Sequence, residues 1–354
     1  MKILLTGGGT AGHVFPLISV YRFLREKKDT HFIYFGEKGN IEEKLAKKEG
    51  IRFSSVISGK FRPYFSLANL LTPFLLFAGF FQALFKIIRE GPVVILAKGG
   101  YVTVPVVLAG FVLGKKIYLH ESDSILGRSN RILFPLAHKV FVSFEIKNYP
   151  KKYQPKLIFS GLPVRAEFYQ NFYVHKNERI ILVFGGSSGA RKINHLILST
   201  VSSLLERHKV VLISGEKNYE EVQLIREKMP LKIKKNFHVF AFVHEEMASL
   251  IEKADLVISR AGATSIFELA AAEKPSLLIP YPYAASDHQT RNALYFQSRG
   301  AAMVIPEREL DETTFAEKLK KILFDREFLQ KLSINIAKSK PIDAEKIIGD
   351  EILK

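Results

Sequence analysis

Residues 1–16, MKILLTGGGTAGHVFP, combine the groups that a transfer reaction on an anionic substrate needs. Glycines permit positive φ and let a ligand approach the main chain, and a helix that starts after the turn directs free N–H groups at an anion. His13 stands where the turn becomes helix, so it is a candidate general base beside a bound diphosphate. Pro16 is expected in the first helical turn, where no N–H is needed.

The same turn fits the dinucleotide-binding pattern G-x-G-x-x-G, and Glu37 follows a second strand-like run at the place of a ribose-binding acid. A nicotinamide-binding domain is therefore an alternative interpretation, and a purely structural tight turn is another. The loop alone leaves these alternatives open.

Two segments of the second half carry comparable polar groups. In SRAGATSIFELAAAEKP, small residues follow a strand, and Thr264 or Ser265 is expected to begin a helix. Glu268 lies one turn further, where it either accepts hydrogen bonds from a ribose or closes a capping box with Ser265. The segment SDHQTRNA follows the next strand and indicates a sugar-binding loop that includes Gln289.

Strand-like and helix-like segments alternate along the chain, which is typical of a parallel sheet with helices on both faces. The pattern restarts after residues 160–163, and the series strand, glycine turn, helix recurs at Gly185. A length of 354 residues indicates about two domains. We therefore expect an α/β protein with doubly wound domains at 1–163 and 164–340, facing across a cleft, and a helical tail at 341–354.

The net charge of +17 is concentrated in the first half, where residues 1–163 contain 24 Lys and Arg against 10 Asp and Glu. Such a surplus attracts nucleic acid, an anionic lipid surface or a pyrophosphate substrate. There is no cysteine, which excludes disulfides and thiolate metal sites. The apolar run after Lys2 is too short for a signal peptide, so we expect a protein that stays in the cytoplasm.

An uncharged segment, Pro63–Phe85, lies between pairs of basic residues. Its length reaches the roughly 20 residues of a membrane span, but Pro73 and several polar side chains argue against one. We favour one or two helices that lay Phe and Leu into a membrane interface while the basic flanks meet anionic headgroups. A buried helix pair is the alternative. A nucleic-acid-binding protein is disfavoured, because this segment is apolar rather than basic with interleaved aromatics.

Seven motifs resemble those of the MurG family in order and spacing: GGGTAGHVFP, AKGGYVTVP, HESDSILGRSNR, GLPVR, FGGSSGAR, RAGATSIFELAAAEKP and DHQTRNA. The resemblance covers nearly the whole chain and implies a GT-B fold. It implies inverting transfer of N-acetylglucosamine from UDP-N-acetylglucosamine to the C4 hydroxyl of undecaprenyl-pyrophosphoryl-MurNAc-pentapeptide, in peptidoglycan synthesis. It also implies a peripheral protein on the cytoplasmic face of the bacterial inner membrane, whose anionic surface is a partner. A related GT-B glycolipid synthase and an NAD-dependent oxidoreductase remain the alternatives.

The resemblance also implies roles for individual residues. His13 is the candidate catalytic base, and neither a metal nor another cofactor is expected, since no Asp-x-Asp motif is present. Gly99, Gly100 and Tyr101 are expected to meet the lipid pyrophosphate of the acceptor. The residues expected to bind UDP-N-acetylglucosamine are Thr10, Ala11, Gly12, Asp123, Arg165, Ser187, Val243, Ala263, Thr264, Ser265, Ile266, Phe267, Glu268 and Gln289.

Four positions depart from the usual family pattern. Ala11 replaces a glycine, and Ser188 replaces a glutamine. In the motif that begins at His120, Ser122 and Asp123 stand where the family usually has glutamine and asparagine. Aspartate in place of asparagine keeps a hydrogen-bond acceptor and loses a donor.

Overall fold

The structure is a computed structural model that describes residues 1–27, 29–59, 68–169, 179–186, 190–243, 246–341 and 343–354. The chain divides into two units, Met1–Arg165 with Ile342–Lys354, and Ala166–Pro341. Each unit is built on its own parallel sheet, which confirms the two doubly wound α/β domains expected from the alternating segments. The C-terminal segment, for which the sequence predicts a separate helical tail, belongs to the first unit.

The first unit contains the strands β1 (Lys2–Thr6), β2 (His31–Gly36), β3 (Arg52–Ser55), β4 (Val94–Ala97), β5 (Lys116–Glu121), β6 (Lys139–Val142) and β7 (Leu157–Phe159). They form a parallel sheet in the order β3-β2-β1-β4-β5-β6-β7. The central strand β1 is a continuous apolar run because both of its faces are covered. The strand order reverses between β1 and β4, and a sheet of this kind opens its ligand crevice at the carboxyl ends of the strands at such a point.

Helices cover both faces of this sheet. Ile3 of β1 joins a buried cluster with Leu17 and Ile348, whereas its neighbour Leu4 joins a second cluster with Val106 on the other face. These two layers follow from the alternation of side chains along a strand. The helices are α1 (Ala11–Leu24), α2 (Ile41–Lys48), α3 (Ala68–Glu90), α4 (Thr103–Val112), α5 (Arg128–Leu133) and, at the C-terminus, α14 (Ala344–Leu353).

Helix α1 starts earlier than the sequence suggested. It begins at Ala11, directly after the extended residue Thr10, so Pro16 is its sixth residue and lies in the second turn. The expected place of Pro16 in the first turn is therefore wrong. Proline at this position cannot donate a hydrogen bond to the carbonyl of Gly12, four residues earlier.

The predicted apolar segment enters the described part of the chain at residue 68 and forms α3, a single 23-residue helix. Ile87 on its inner side is fully buried. Its outer side is exposed, so the alternative of a buried helix pair does not hold for this helix. Residues 69–90 are long and apolar enough to cross a membrane by length and composition. Four outer side chains each expose 67 to 73% of their surface: Leu70, Phe74, Phe77 and Phe85.

The second unit repeats the architecture with the strands β8 (Ile180–Phe184), β9 (Lys209–Ile213), β10 (Phe237–Phe240), β11 (Leu256–Ser259), β12 (Ser276–Leu278) and β13 (Met303–Val304). These strands are parallel in the order β10-β9-β8-β11-β12-β13, and the order reverses between β8 and β11. The helices are α6 (Arg191–Leu204), α7 (Tyr219–Glu227), α8 (Leu231–Lys234), α9 (Met247–Lys253), α10 (Ala263–Ala271), α11 (His288–Gln297), α12 (Glu312–Phe324) and α13 (Arg326–Ala337).

Candidate functional site

In the first unit, the loops that follow β1 and β4 pack directly against each other. The N–H of Gly8 donates to the carbonyl of Gly99 across 3.4 Å. A Cβ at Gly100 would lie 2.5 Å from the carbonyl oxygen of Gly8, and Gly100 has a φ of +92°. Only glycine fits here, because residues with a side chain rarely adopt this φ and because the carbonyl of Gly8 cannot move aside for a Cβ. The expected acceptor-binding segment and the glycine turn therefore form one surface at the point where the strand order reverses.

A buried carboxylate supports the glycine turn from below. Glu42 of α2 is 1% exposed, and its two oxygens accept hydrogen bonds from the N–H groups of Gly9 at 3.3 Å and Glu37 at 3.2 Å. Glu37, which stands at the place of a ribose-binding acid in the sequence, is exposed, and its carboxylate accepts a hydrogen bond from Asn40 at 2.8 Å. Glu42 was missed, because its sequence position in the first turn of a charged helix is also typical of a solvated acid.

His13 is oriented by the turn that precedes it. Its Nδ1 lies 2.8 Å from the carbonyl oxygen of Gly8 and 3.4 Å from the hydroxyl of Thr10. Since a carbonyl only accepts, the proton of a neutral His13 ring resides on Nδ1, and Nε2 is the basic nitrogen. This is the tautomer that a general base at this position would require.

Arg165 lies beside the same helix. Its guanidinium stands 4.4 Å from the centre of the Phe15 ring, two residues beyond His13 on α1. Stacking on an aromatic face fixes the plane of a guanidinium and suits the recognition of phosphate groups. The structure thus brings Arg165 into the first unit, close to the proposed base.

A charged cluster lies beneath the two glycine loops. Glu121, at the end of β5, is 4% exposed and accepts hydrogen bonds from the N–H groups of Asp123 at 3.0 Å and Gly127 at 2.7 Å. The side chain of Asn130 also donates to it at 2.9 Å. Burial raises the pKa of Glu121, and the ammonium of Lys98 opposes that rise. The loop from 122 to 127, which carries the expected sugar contact Asp123, is therefore tied to a single buried carboxylate.

In the second unit, the turn after β11 leads into α10 earlier than expected. The helix begins at Ala263, with Gly262 before it in an extended conformation. Ser265 is therefore the third residue of α10, and the suggested capping box between Ser265 and Glu268 is wrong. Gly262 provides no side-chain cap for the first-turn N–H groups, and N–H groups at such a helix start can bind an anion. Glu268 is buried near this end of the helix at 7% exposure.

An ion pair between the buried Arg260 and the partly buried Glu307 fixes the loops around α10, and no sequence motif indicated it. Arg260 contacts the carboxylate of Glu307 at 2.5 Å and donates to the carbonyl of Ile279 at 3.1 Å. The side chain of Asn292, fully buried on α11, donates to the carbonyl of Ala261 at 3.3 Å. These contacts tie the ends of β11 and β12 to each other and to α11.

The turn before α11 is strained and holds Gln289 in place. Ser286 and Asp287 both have a φ of +56°, which residues other than glycine rarely adopt. The carbonyl of the Gln289 side chain accepts from the N–H of Tyr281 at 3.0 Å. The side-chain oxygen is thereby occupied, and the NH2 group is the donor end of Gln289. Strain of this type often marks a binding site.

The expected site residues thus fall into two sets. Within the described ranges, no group of three or more His, Asp and Glu could hold a metal ion. Ser187 lies outside the described residues. The first unit holds Thr10, Ala11, Gly12, His13, Gly99, Gly100, Tyr101, Asp123 and Arg165, and the second unit holds Val243, the start of α10 from Ala263 to Glu268, and Gln289.

Comparison with protein families matches both units. Residues 3–142 match the glycosyltransferase family 28 N-terminal domain, and residues 180–347 match the C-terminal domain of the same family. Among curated proteins, the chain is similar to UDP-N-acetylglucosamine--N-acetylmuramyl-(pentapeptide) pyrophosphoryl-undecaprenol N-acetylglucosamine transferase of Clostridium tetani, with 39% identity over 92% of this chain and 91% of the relative. The enzyme of the same name from Clostridium botulinum is 35% identical, over 100% of this chain and 99% of the length of that enzyme.

Comparison with solved structures gives the same fold. The crystal structure of MurG from Acinetobacter baumannii superposes with a TM-score of 0.78 and 24% identity over 99% of both chains. A UDP-GlcNAc 2-epimerase from Neisseria meningitidis, bound to UDP-GlcNAc, superposes with a TM-score of 0.72 and 14% identity over 100% of both chains. At these identities the likeness shows the fold alone.

Proposed function

Because the chain belongs to the MurG family of glycosyltransferases, we propose that its two sets of loops divide one reaction between them. It is an N-acetylglucosaminyltransferase that moves N-acetylglucosamine from UDP-N-acetylglucosamine to undecaprenyl-pyrophosphoryl-MurNAc-pentapeptide, in peptidoglycan synthesis. In our proposal, the first unit supplies the base and the acceptor contacts, and the second unit binds most of the nucleotide sugar.

His13 acts as the general base. The C4 hydroxyl of the muramyl sugar attacks the anomeric carbon, the bond from that carbon to the UDP oxygen breaks, and the hydroxyl proton passes to Nε2 of His13. The observation that carries this role is the 2.8 Å contact between Nδ1 and the carbonyl of Gly8, since it leaves Nε2 as the proton acceptor. Attack from the side opposite the leaving group inverts the anomeric centre.

The leaving UDP is stabilised without a metal ion. Its diphosphate is expected to meet the N-terminus of α10, which supplies partial positive charge and has no side-chain cap. The buried carboxylate of Glu268 holds the ribose hydroxyls, and the amide of Gln289 donates to the transferred sugar. We expect purified enzyme to retain turnover in the presence of a chelator. Loss of turnover that only Mg²⁺ or Mn²⁺ restores would contradict this part of the proposal.

Measurement of UDP release with defined acceptors tests the function directly. Only the muramyl-pentapeptide lipid should support turnover, and a diacylglycerol acceptor should not. His13→Ala is expected to lower kcat by roughly 100-fold or more while UDP affinity is unchanged. His195→Ala is the matched control, because His195 is exposed on α6 and pairs only with the exposed Glu312 within the described chain. Normal turnover of His13→Ala would remove it as the base.

We further propose that the exposed side of α3 rests on an anionic membrane surface. Phe74, Phe77 and Phe85 present apolar area outward, and Phe111 of the neighbouring α4 is 51% exposed. Insertion of such side chains into the interface, with attraction between a basic domain and anionic headgroups, is typical of monotopic proteins. This arrangement brings the first unit to the surface where its lipid substrate resides.

Vesicle sedimentation tests the membrane proposal. Phe74→Glu with Phe77→Glu should release the protein from vesicles that contain phosphatidylglycerol, without a change in thermal stability. The matched control is Leu231→Glu with Leu224→Glu, which charges two exposed leucines of the second unit. Phe80, which packs against the core of the first unit, is unsuitable for this test. Unchanged sedimentation of the α3 variant would contradict the proposal.

A further inference from the structure

Tyr34 is a fully buried tyrosine in β2. Its neighbours on the strand, Ile33 and Phe35, are buried and apolar, so packing at this position requires only an apolar ring. A buried phenol needs a hydrogen-bond partner, and that of Tyr34 donates to the carbonyl of Gly7 at 2.6 Å. Burial, together with the negative charge of Glu42, raises the pKa of Tyr34 well above its usual range, so the phenol keeps its proton and remains a donor.

The contact from Tyr34 lies at the start of the glycine turn. The pairing of β1 with β2 and β4 ends directly before Gly7. The next two carbonyls of the chain accept from side chains, that of Gly7 from the phenol of Tyr34 and that of Gly8 from Nδ1 of His13. Glycine residues rotate at little cost because they have no Cβ. Side chains thus take over from the strand ladder where the backbone would otherwise be poorly fixed.

The peptide group between Gly7 and Gly8 is held at both of its polar atoms. Its carbonyl accepts from Tyr34, and its N–H donates to the carbonyl of Gly99 at 3.4 Å. Because a peptide group is planar, these two contacts fix its orientation. The ring of Tyr34 is itself stacked on Phe53 of β3, with 6.2 Å between the ring centres. Tyr34 therefore contacts the turn from a rigid position in the sheet.

The following peptide group, between Gly8 and Gly9, carries the contact that orients His13. Its carbonyl accepts from Nδ1 of His13 at 2.8 Å, and its N–H donates to Glu42 at 3.3 Å. The two peptide groups share the Cα of Gly8, so a rotation of the first group displaces the second. Displacement of the second group moves the carbonyl that holds the proton on Nδ1.

We propose that Tyr34 is a positioning residue for the reaction, which fixes the tilt of the glycine turn and thereby the tautomer and the direction of the His13 ring. This inference rests on the proposed role of His13 as the base. In Tyr34→Phe, the peptide group between Gly7 and Gly8 loses one of its two contacts, and Nε2 of His13 is less often directed at the attacking hydroxyl. Loss of one hydrogen bond should lower kcat by about fivefold, with little change in KM for either substrate.

A double-mutant cycle between Tyr34→Phe and His13→Ala on the full-length enzyme tests the proposal. If Tyr34 acts through His13, the Tyr34→Phe substitution lowers kcat in the wild-type background and leaves it unchanged in the His13→Ala background. The same fold-change in both backgrounds would overturn the proposal, because the phenol would then act independently of the base.

Tyr118→Phe is the matched control. Tyr118 of β5 is 1% exposed, and its phenol also donates to a main-chain carbonyl, that of Glu351 at 3.3 Å. This variant loses a comparable hydrogen bond in the same sheet and should keep the wild-type kcat. A loss of kcat equal to that of Tyr34→Phe would mean that any weakening of the first unit slows the reaction, and it would contradict the proposal.

The tautomer of His13 gives a readout that needs no turnover. In nitrogen-15 spectra of the labelled histidine rings, the signals that disappear in His13→Ala identify this ring among the 10 histidines of the chain. At about pH 9, above the ordinary histidine pKa of about 6.5, the wild-type ring should carry its proton on Nδ1. Tyr34→Phe should shift the proton partly to Nε2, and an unchanged tautomer would overturn the proposal.

Failure of the proposed function gives a different pattern. In that case the wild-type enzyme does not transfer N-acetylglucosamine to the muramyl lipid, or His13→Ala retains full turnover. The spectra of the wild type and of Tyr34→Phe still show whether the phenol orients the His13 ring.

Discussion

Replacement of Lys98 by methionine should make the protein more stable at neutral pH. Burial lowers the pKa of Lys98 from 10.5 to about 8, although the negative charges of Glu121 and Asp123 oppose this shift. A pKa lower in the folded chain than in the unfolded chain means that the folded state resists protonation. Methionine has a similar length and carries no charge, so it removes this cost while it fills the same space.

The size of the effect follows from the shift in pKa. The difference between 10.5 and about 8 corresponds to about 3 kcal/mol at most, since one pKa unit is about 1.4 kcal/mol. The cost is fully present below pH 8, where the lysine is protonated in both states. Between pH 8 and 10.5 the unfolded chain binds more protons than the folded chain, so the stability of the wild type rises with pH. The advantage of Lys98→Met should therefore shrink over this range and vanish near pH 10.5.

Chemical denaturation at pH 7, 8, 9 and 10 measures this difference directly. We expect the free energy of unfolding of Lys98→Met to exceed that of the wild type by 1 to 3 kcal/mol at pH 7, on the order of the value above. Leu96→Met, in the buried strand β4 two residues earlier, is the control, and its difference from the wild type should not vary with pH. A less stable Lys98→Met at pH 7, or a difference that is constant with pH, would refute the reasoning.

Three further predictions concern the loops. Gly100→Ala should lower the free energy of unfolding by about 1–2 kcal/mol because of the positive φ, and further because of the clash with the carbonyl of Gly8. Thermal unfolding measures the loss of stability, and the KM for the acceptor should rise. Glu42→Gln replaces one acceptor oxygen by an NH2 donor beside the N–H groups of the glycine turn. It should lower kcat, measured in single-turnover assays, and leave the affinity for UDP, measured by titration, unchanged. Arg260→Met should destabilise the second unit by about 1.5–3 kcal/mol, measured by urea denaturation, because the partly buried carboxylate of Glu307 and the carbonyl of Ile279 lose their charged donor.

The sequence predicted the fold well because its signals are local and repeated. Apolar runs such as ILLT and VVILA, each followed by glycines, mark buried parallel strands, and the matched motifs fix their order. Helix starts were less predictable. Both α1 and α10 begin at an alanine that continues directly from the ligand loop, and neither has a side-chain cap that could mark its first residue.

The supporting charges of the site could not be predicted from local pattern. Glu42 and Arg260 act on residues that are 33 and 47 positions away, at Gly9 and Glu307. Their roles depend on how the parallel strands bring loops together, and a single sequence carries no signal for that pairing. Lys98 lies in the motif AKGGYVTVP, but the motif does not show that this lysine is buried. Since lysines are usually exposed, its burial is known only from the structure.

Two N–H groups of the glycine turn already have partners within the protein. We expected its glycines to admit an anion to the backbone, yet the N–H of Gly9 is bound to Glu42, and the N–H of Gly8 is bound to Gly99. The carbonyl of Gly8 is the group that remains for chemistry, and it accepts from Nδ1 of His13. In the proposed reaction, the glycines act through the close packing of two loops, which fixes one carbonyl and, through it, the orientation of the His13 ring. We therefore expect anion binding at the first turns of α1 and α10, which no side chain caps.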